Sequence, residues 1–229
     1  MRELLLIRHG QASFGAEDYD QLSPIGEQQS ALLGEWLAET RPASDLIAIG
    51  PRLRHRDTAR HCLHAAGMDE QPVIFSGLDE FDHLEVLARQ RPNLTGPGAL
   101  RAELKQATDP HRAFQRLFAE AVARWVSGQH DAEYNCPWPL FRQNVLEALR
   151  QLSEHPARTI WAFTSGGPIA VIASTLLETP LAQTFKLSWP LVNTGVTRLR
   201  LSPRGATLVT YNTWPHLEPM RDPALVTLR

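Results

Sequence analysis

Short apolar runs that each end in a turn and lead into a helix-forming stretch set the strongest limit on how this chain can fold. Leu4 to Ile7 is followed by Arg8-His9-Gly10, Leu46 to Ile49 by Gly50-Pro51, and Thr159 to Phe163 by Thr164-Ser165-Gly166-Gly167-Pro168. Continuous apolar runs this short suit strands buried on both faces of a largely parallel sheet. Ser23-Pro24 places an N-cap and a first-turn proline ahead of Gln28 to Glu39, where Leu32, Leu33, Trp36 and Leu37 recur at helical spacing. Pro51 opens a second helix carrying Thr58, Ala59 and Cys62, which Gly67 ends before a short strand over Val73 to Phe75. A further helix is expected over Ile169 to Leu177. Val192 to Leu201 and Ala206 to Tyr211, separated by Ser202-Pro203-Arg204-Gly205, read as a hairpin. Strands alternating with helices predict an α/β fold: a three-layer αβα sandwich with a mostly parallel central sheet.

Between the two halves of this pattern, Pro92 to Gly98 reads as a polar loop, and Leu100 to Val126 and Phe141 to Leu152 as helices. These predict a helical lid or insertion around residues 82–137 within a single domain spanning 1–229. A chain of 229 residues is long enough for one sizeable core with such an attachment. Its formal charge of -2 supplies no field that would gather nucleic acid or an anionic membrane, so neither is expected as a partner. Cys62 and Cys136 are too few for a disulfide framework and fit a reducing compartment. The first apolar run is too short for a signal peptide or a membrane span, and a cytoplasmic location is expected. The sequence assigns no oligomeric state.

Ligands of α/β sheets usually bind outside the carboxyl ends of the strands. Arg8-His9-Gly10, Asp79-Glu80 and Ser165-Gly166-Gly167 all follow expected strands, which makes one shared site of them. An imidazole with one unprotonated nitrogen can attack phosphorus, and arginines match phosphate oxygens with fork-shaped donors. By itself an Arg-His-Gly triplet is equally an ordinary solvated or hydrogen-bonded histidine.

Taken together these segments resemble the histidine phosphatase superfamily, in its phosphoglycerate-mutase-like branch, over most of the chain. The likeness rests on Arg8-His9-Gly10, on Leu22-Ser23 through Gly26 to Gln29, on Pro51, Arg54, Thr58 and Ala59, and on Leu78-Asp79-Glu80. It implies that His9 is a nucleophile that becomes phosphohistidine, that Arg8 and Arg54 grip the phosphate, and that Glu80 gives a proton to the leaving oxygen. The implied activity is phosphomonoester hydrolysis of a small phosphorylated molecule, in two in-line transfers, with neither cofactor nor metal. Guanidiniums beside His9 would disfavour its protonated form and keep a lone pair available. Glu80 needs a raised pKa to act as an acid, and Asp79 or Asp82 is the alternative acid. Ser13, in the loop after His9, is either a further phosphate ligand or an ordinary turn residue.

The departure from the family pattern is Ser165, where relatives usually have a second histidine before the Gly-Gly pair. Ser165 and Gly166 can still hold phosphate oxygens at the N-terminus of the following helix. Ser165 is also a plausible N-cap, and it is similar to the nucleophile elbow of serine hydrolases, although Phe163 stands where that pattern has glycine. The substitution leaves open a catalytically weak relative that binds a phosphorylated ligand or a protein. A mutase is disfavoured, since no dense cationic cluster beyond Arg8 and Arg54 serves a second phosphate, although Arg89, Arg91 and Arg101 lie in the insertion. His55, His83 and His216 are each read more simply as surface or lid histidines than as a replacement for the missing ring.

Overall fold

The structure is a computed structural model that describes residues 2–13, 20–92, 98, 102, 105 and 108–228. The chain divides into two compact units, one formed by Met1–Glu80 and Asn144–Arg229, the other by Phe81–Gln143.

The first unit is built on a six-stranded sheet of β1 (Arg2–Arg8), β2 (Leu46–Ile49), β3 (Val73–Ile74), β4 (Thr159–Thr164), β5 (Val196–Ser202) and β6 (Gly205–Thr213), in the order β3-β2-β4-β1-β5-β6. The first four are mutually parallel, and β5 and β6 add an antiparallel edge. Helices α1 (Pro24–Thr40) and α2 (Leu53–Ala65) cover one face. Leu5 and Ile7 of β1, Ile47 and Ile49 of β2, and Trp161 and Phe163 of β4 pack there with Leu33, Leu37, Ala59 and Cys62. The alternate residues Leu4, Leu6, Ala48, Ile160 and Ala162 point to the other face and are equally buried. Burial on both faces is the reason these strands read as unbroken apolar runs.

Register decides where the site lies. Arg8 pairs with Thr164, and Ile49 pairs with Phe163, so β1, β4 and β2 end level and side by side. The residues that leave those ends, His9, Ser165 and the segment from Gly50, are therefore neighbours. Another α-helix, running over Gly166–Leu176, starts directly at the β4 end, three residues earlier than its apolar stretch alone suggests. The hairpin strand begins at Val196 and not at Val192, because Thr194 adopts a positive φ of 59° and the Gly195 N–H donates to the Val192 carbonyl at 2.9 Å. That turn carries Asn193 and Thr194 to the end of β1. Pro51 and Arg52 lead into α2 without joining it. Val73 and Ile74, on the outer edge of the sheet, remain about half exposed.

In the second unit, Asp82 caps α3 (His83–Gln90), and Asp109 caps α4 (Pro110–Val126). The helix α5 (Trp138–Glu154) begins in this unit and ends in the first; Gly166–Leu176 is accordingly α6, and a short α7 (Thr184–Ser188) follows it. Phe81, Trp125, Trp138 and Phe141 form an aromatic cluster, with the Phe81 and Trp125 rings 4.9 Å apart, so the tryptophans here pack a core. Most of the loop expected over Pro92 to Gly98, and the start of the helix expected from Leu100, lie outside the described residues. No described helix is long and apolar enough to cross a membrane.

One close approach fixes the loop after β1. A Cβ on Gly26 would run into the Gln11 backbone, and one on Gly10 would meet the Gly26 carbonyl at 2.5 Å. Backbone cannot give way as a flexible side chain can. Gly26→Ala is therefore expected to lose about 1–3 kcal/mol of stability in urea unfolding, as overpacked sites do. A variant as stable as the parent would show that α1 is free to move off the loop.

Candidate active site

His9 leaves the end of β1 with its backbone held on both sides. Its N–H donates to the Thr164 carbonyl at 2.9 Å, and its own carbonyl accepts from Asn193 Nδ2 at 3.0 Å and from the Thr194 N–H at 3.3 Å. The residue is 6% exposed, and its Nδ1 lies 2.7 Å from the Gly10 carbonyl. A carbonyl only accepts, so Nδ1 carries the proton and Nε2 keeps a bare lone pair. Burial, then the positive charges of Arg54 and Arg8 and the nearby His55, holds the imidazole well below its ordinary pKa. The histidine is thus neutral, oriented and basic at one nitrogen.

The first turn of α2 supplies the cation. Arg54 is buried, with Nη1 donating to Asp20 at 2.6 Å and Nη2 to Ser165 Oγ at 3.5 Å. Asp20 also accepts the Leu53 N–H at 2.7 Å, so one carboxylate caps α2 and orients the guanidinium. One turn on, Thr58 accepts the Gly10 N–H at 2.9 Å and donates to the Arg54 carbonyl at 2.6 Å, which ties the His9 loop to the arginine. Gln29 of α1 accepts the Gln11 N–H at 2.9 Å and donates to the Leu225 carbonyl and to Thr227 Oγ1.

Glu80 reaches the same place from the segment after β3. Thr164 Oγ1 donates to the Leu78 carbonyl at 2.7 Å, and Arg52 grips both sides of the following turn, bonding Asp79 through Nε at 2.5 Å and the Glu80 carbonyl through Nη2 at 3.0 Å. The Glu80 carboxylate then accepts the Gly167 N–H at 3.2 Å, at the start of α6. Asp79 is occupied by Arg52 and the Glu80 N–H, and Asp82 by the N–H groups of Leu84 and Glu85. Of the three carboxylates singled out in the sequence, Glu80 is the one seen on the Ser165-Gly166-Gly167 turn.

The sequence pattern of the histidine phosphatase superfamily (branch 1) matches residues 4–213. The chain belongs to that superfamily. No curated protein sequence matches significantly. Among solved structures, phosphoserine phosphatase of Entamoeba histolytica in complex with 3-phosphoglyceric acid is similar at 21% identity, with a TM-score of 0.62, 95% of this chain and 100% of that chain being covered. Phosphoglycerate mutase of Bacillus anthracis is similar at 14% identity, with a TM-score of 0.67 and coverages of 96% and 97%. Alpha-ribazole phosphatase of Shigella flexneri is similar at 19% identity, with a TM-score of 0.62 and coverages of 92% and 96%. These likenesses carry the α/β fold.

Within this superfamily member the structure brings His9, Arg54, Ser165, Gly166 and Glu80 together at the ends of three adjoining strands. Arg8 is adjacent in the chain, but its Nη1 donates to the carbonyls of Leu191 and Leu228. It holds the C-terminal segment while adding positive field at His9. Ser13 turns its hydroxyl to the Leu22 carbonyl at 3.0 Å and its N–H to the Gln21 carbonyl at 2.8 Å. Ser165 occupies the N-cap position of α6, yet its side chain caps no N–H there.

Two expectations about histidines are corrected. His55 is not a surface residue: it is fully buried, its ring centre is 5.9 Å from that of His9, and its Nε2 lies 2.7 Å from Ser165 Oγ. His216 is also buried and is bonded through Nε2 to Thr194 Oγ1 at 2.8 Å. The Thr194 hydroxyl proton goes to the Asn193 carbonyl, so His216 is the donor and braces the turn that holds His9. Asp20, Thr58 and Asn193 were not assigned roles from sequence. Only Thr58 had a local signal, four residues after Arg54 and so on the same helix face.

A pH dependence follows from these rings. His9 and His55 are held well below 6.5, and burial takes His216 down to about 3. Above the unfolded-state value all are neutral in both states and add no slope. As pH falls below about 6.5 the unfolded chain takes up protons that the folded protein refuses, and stability drops, by roughly 1.4 kcal/mol per pH unit for each ring. Unfolding measured between about pH 8 and pH 5 should be level at the upper end and steepen on the acid side. Stability that rises on acidification over that range would contradict the assignment.

Proposed function

We propose that this superfamily member is a phosphomonoesterase that acts on a small phosphorylated molecule through a phosphohistidine at His9. The observation that carries the proposal is the His9 ring itself: Nδ1 is tied to the Gly10 carbonyl, Nε2 is bare, and Arg54 and the start of α6 stand beside it. In the first step Nε2 attacks phosphorus in line with the ester oxygen; the P–N bond forms, the P–O bond breaks, and Glu80 in its protonated form gives its proton to the leaving oxygen. In the second, the Glu80 carboxylate takes a proton from water, the water oxygen attacks phosphorus, and the P–N bond breaks. His9 and Glu80 are both restored. Arg54 and the N–H groups at the start of α6 stabilise the charge in flight, which is the main demand of phosphoryl transfer.

A mutase needs a second set of cations, and Arg52, two residues before Arg54, is committed to Asp79 and the Glu80 carbonyl. A pure binder needs neither a bare nucleophile nor an acid. The similar Entamoeba enzyme holds 3-phosphoglyceric acid, a small phosphorylated compound.

Rapid quenching of the protein with an aryl phosphate tests the proposal. The expected adduct is stable to base, labile to acid, and located on the peptide containing His9. Tight binding of phosphate with no release from a broad panel of phosphomonoesters would instead establish a binding protein.

A further inference from the structure

We propose that His55 replaces the missing second histidine indirectly, by donating from Nε2 to Ser165 Oγ so that the Ser165 hydroxyl proton is turned to a phosphoryl oxygen held at His9. The inference rests on the phosphohistidine reading of His9 and adds to it a donor made of two residues.

Four observations support the pair. Ser165 and His55 are both fully buried, and Nε2 and Oγ lie 2.7 Å apart although the residues are 110 positions apart in the chain. The Ser165 side chain makes no helix cap, so its hydroxyl is not spent on α6. The fold also makes room for the ring: a Cβ on Gly50 would strike His55 Nδ1, and His55 Cε1 would lie 2.7 Å from it. Finally, His55 stands beside the nucleophile, with its ring tilted 44° to that of His9.

The direction of the hydrogen bond follows from the other nitrogen. Nδ1 has no hydrogen-bond partner among the described residues, whereas Nε2 lies 2.7 Å from Ser165 Oγ. The proposed tautomer carries its proton on Nε2, where an acceptor is within reach, and leaves Nδ1 bare. Burial and the charges of Arg54 and Arg52 keep the ring neutral, so it carries this one proton only. A serine oxygen accepts two bonds and donates one. Oγ accepts from His55 and, at 3.5 Å, from Arg54 Nη2, which leaves its proton for the phosphoryl oxygen. Ser165 then touches the substrate, while His55 is a positioning residue. A neutral donor stands where the family has a potential cation.

The test is a set of variants read by kcat/KM on an aryl phosphate, by calorimetric affinity for inorganic phosphate, and by melting temperature. Ser165→Ala and His55→Leu should each lower kcat/KM by about 10²-fold, the loss found when one donor to a transferring oxygen is removed. The double variant should fall no further, because the two residues act as one. His55→Gln, whose amide nitrogen reaches the place of Nε2, should stay within about tenfold of the parent. Ser165→His should be poorly active in the parent, where His55 fills the space, and should recover at least tenfold in His55→Ala. Phosphate affinity should weaken in the same non-additive way, and this readout holds even where the parent releases no phosphate, an outcome that would overturn the proposed function alone. Should His55→Leu fail to fold, His55→Gln and Ser165→Ala decide the matter. Parent-like kcat/KM and phosphate affinity in Ser165→Ala, additive losses, or a phosphoryl adduct on Ser165 would each overturn the pair.

Discussion

His9→Ala is expected to abolish phosphate release, with a loss in kcat on the order of 10⁶-fold, as when the nucleophile of a covalent enzyme is removed. The fold should survive the change. The bonds that hold residue 9 in place run through its backbone, to Thr164, Asn193 and Thr194, and alanine keeps all of them. Arg54 and the α6 N-terminus also remain, so the variant should still bind phosphate. What it loses is the Nε2 lone pair that the proposed mechanism uses. The measurement is single-turnover release from an aryl phosphate beside quench trapping of the adduct. Release and adduct should disappear together. Activity that persists in His9→Ala and vanishes in Ser165→Ala would make the serine the nucleophile.

Arg54→Ala has the second largest expected effect, a fall in kcat/KM of about 10³ to 10⁵-fold, the range for removing an arginine that stabilises phosphoryl transfer. Its two terminal nitrogens diverge, one to Asp20 and one to Ser165 Oγ, from a buried position in the first turn of α2. Lysine has no such fork, so Arg54→Lys should recover little of the loss. Asp20 keeps its bond to the Leu53 N–H in both variants, so α2 stays capped and the melting temperature should move far less than the rate. Arg54 is also the largest charge holding the His9 pKa down. Its removal should let that pKa rise, with burial and Arg8 still holding it down, and the acid limb of the rate profile should lie at higher pH than in the parent. Parent-like kcat/KM in Arg54→Ala would remove the arginine from the phosphate site.

Much of this was legible before any tertiary structure. Leu4 to Ile7 and Thr159 to Phe163 announced buried strands because both of their faces are covered, and Leu46 to Ile49 matched β2 residue for residue. Ser23 caps α1, accepting the Gly26 N–H at 3.1 Å, as Ser-Pro ahead of a helical pattern implies. Such features are local: they depend on residues within a turn or a strand of one another, and hydrophobic spacing records them directly. Where the local signal was weak, the elements shifted. The apolar run from Val192 looked like strand, but a left-handed Thr194 makes it a turn, and nothing in the spacing of a short apolar run distinguishes the two.

The membership of the site was only partly legible. Arg8-His9-Gly10, Glu80 and Ser165 could be named from their motifs, each after an expected strand, and Arg54 from its motif on the helix that Pro51 opens. The contacts of their partners could not, since Asp20 and Asn193 carry no motif, and Thr58 and His216, though noted in the sequence, matter through the groups they meet. Where the side chains of Asp79, Glu80 and Asp82 are tied likewise depends on the tertiary structure. His55 was the largest miss, and the reason is topological. The sheet order places β2 beside β4 and β4 beside β1, so a ring just after β2 meets a serine just after β4 and a histidine just after β1. The apolar runs, through their burial, determined that this chain forms a layered α/β sheet and where its chemistry would cluster. Only the lateral order of the strands, a long-range outcome of packing, decided that the imidazole absent at Ser165 has a counterpart in His55.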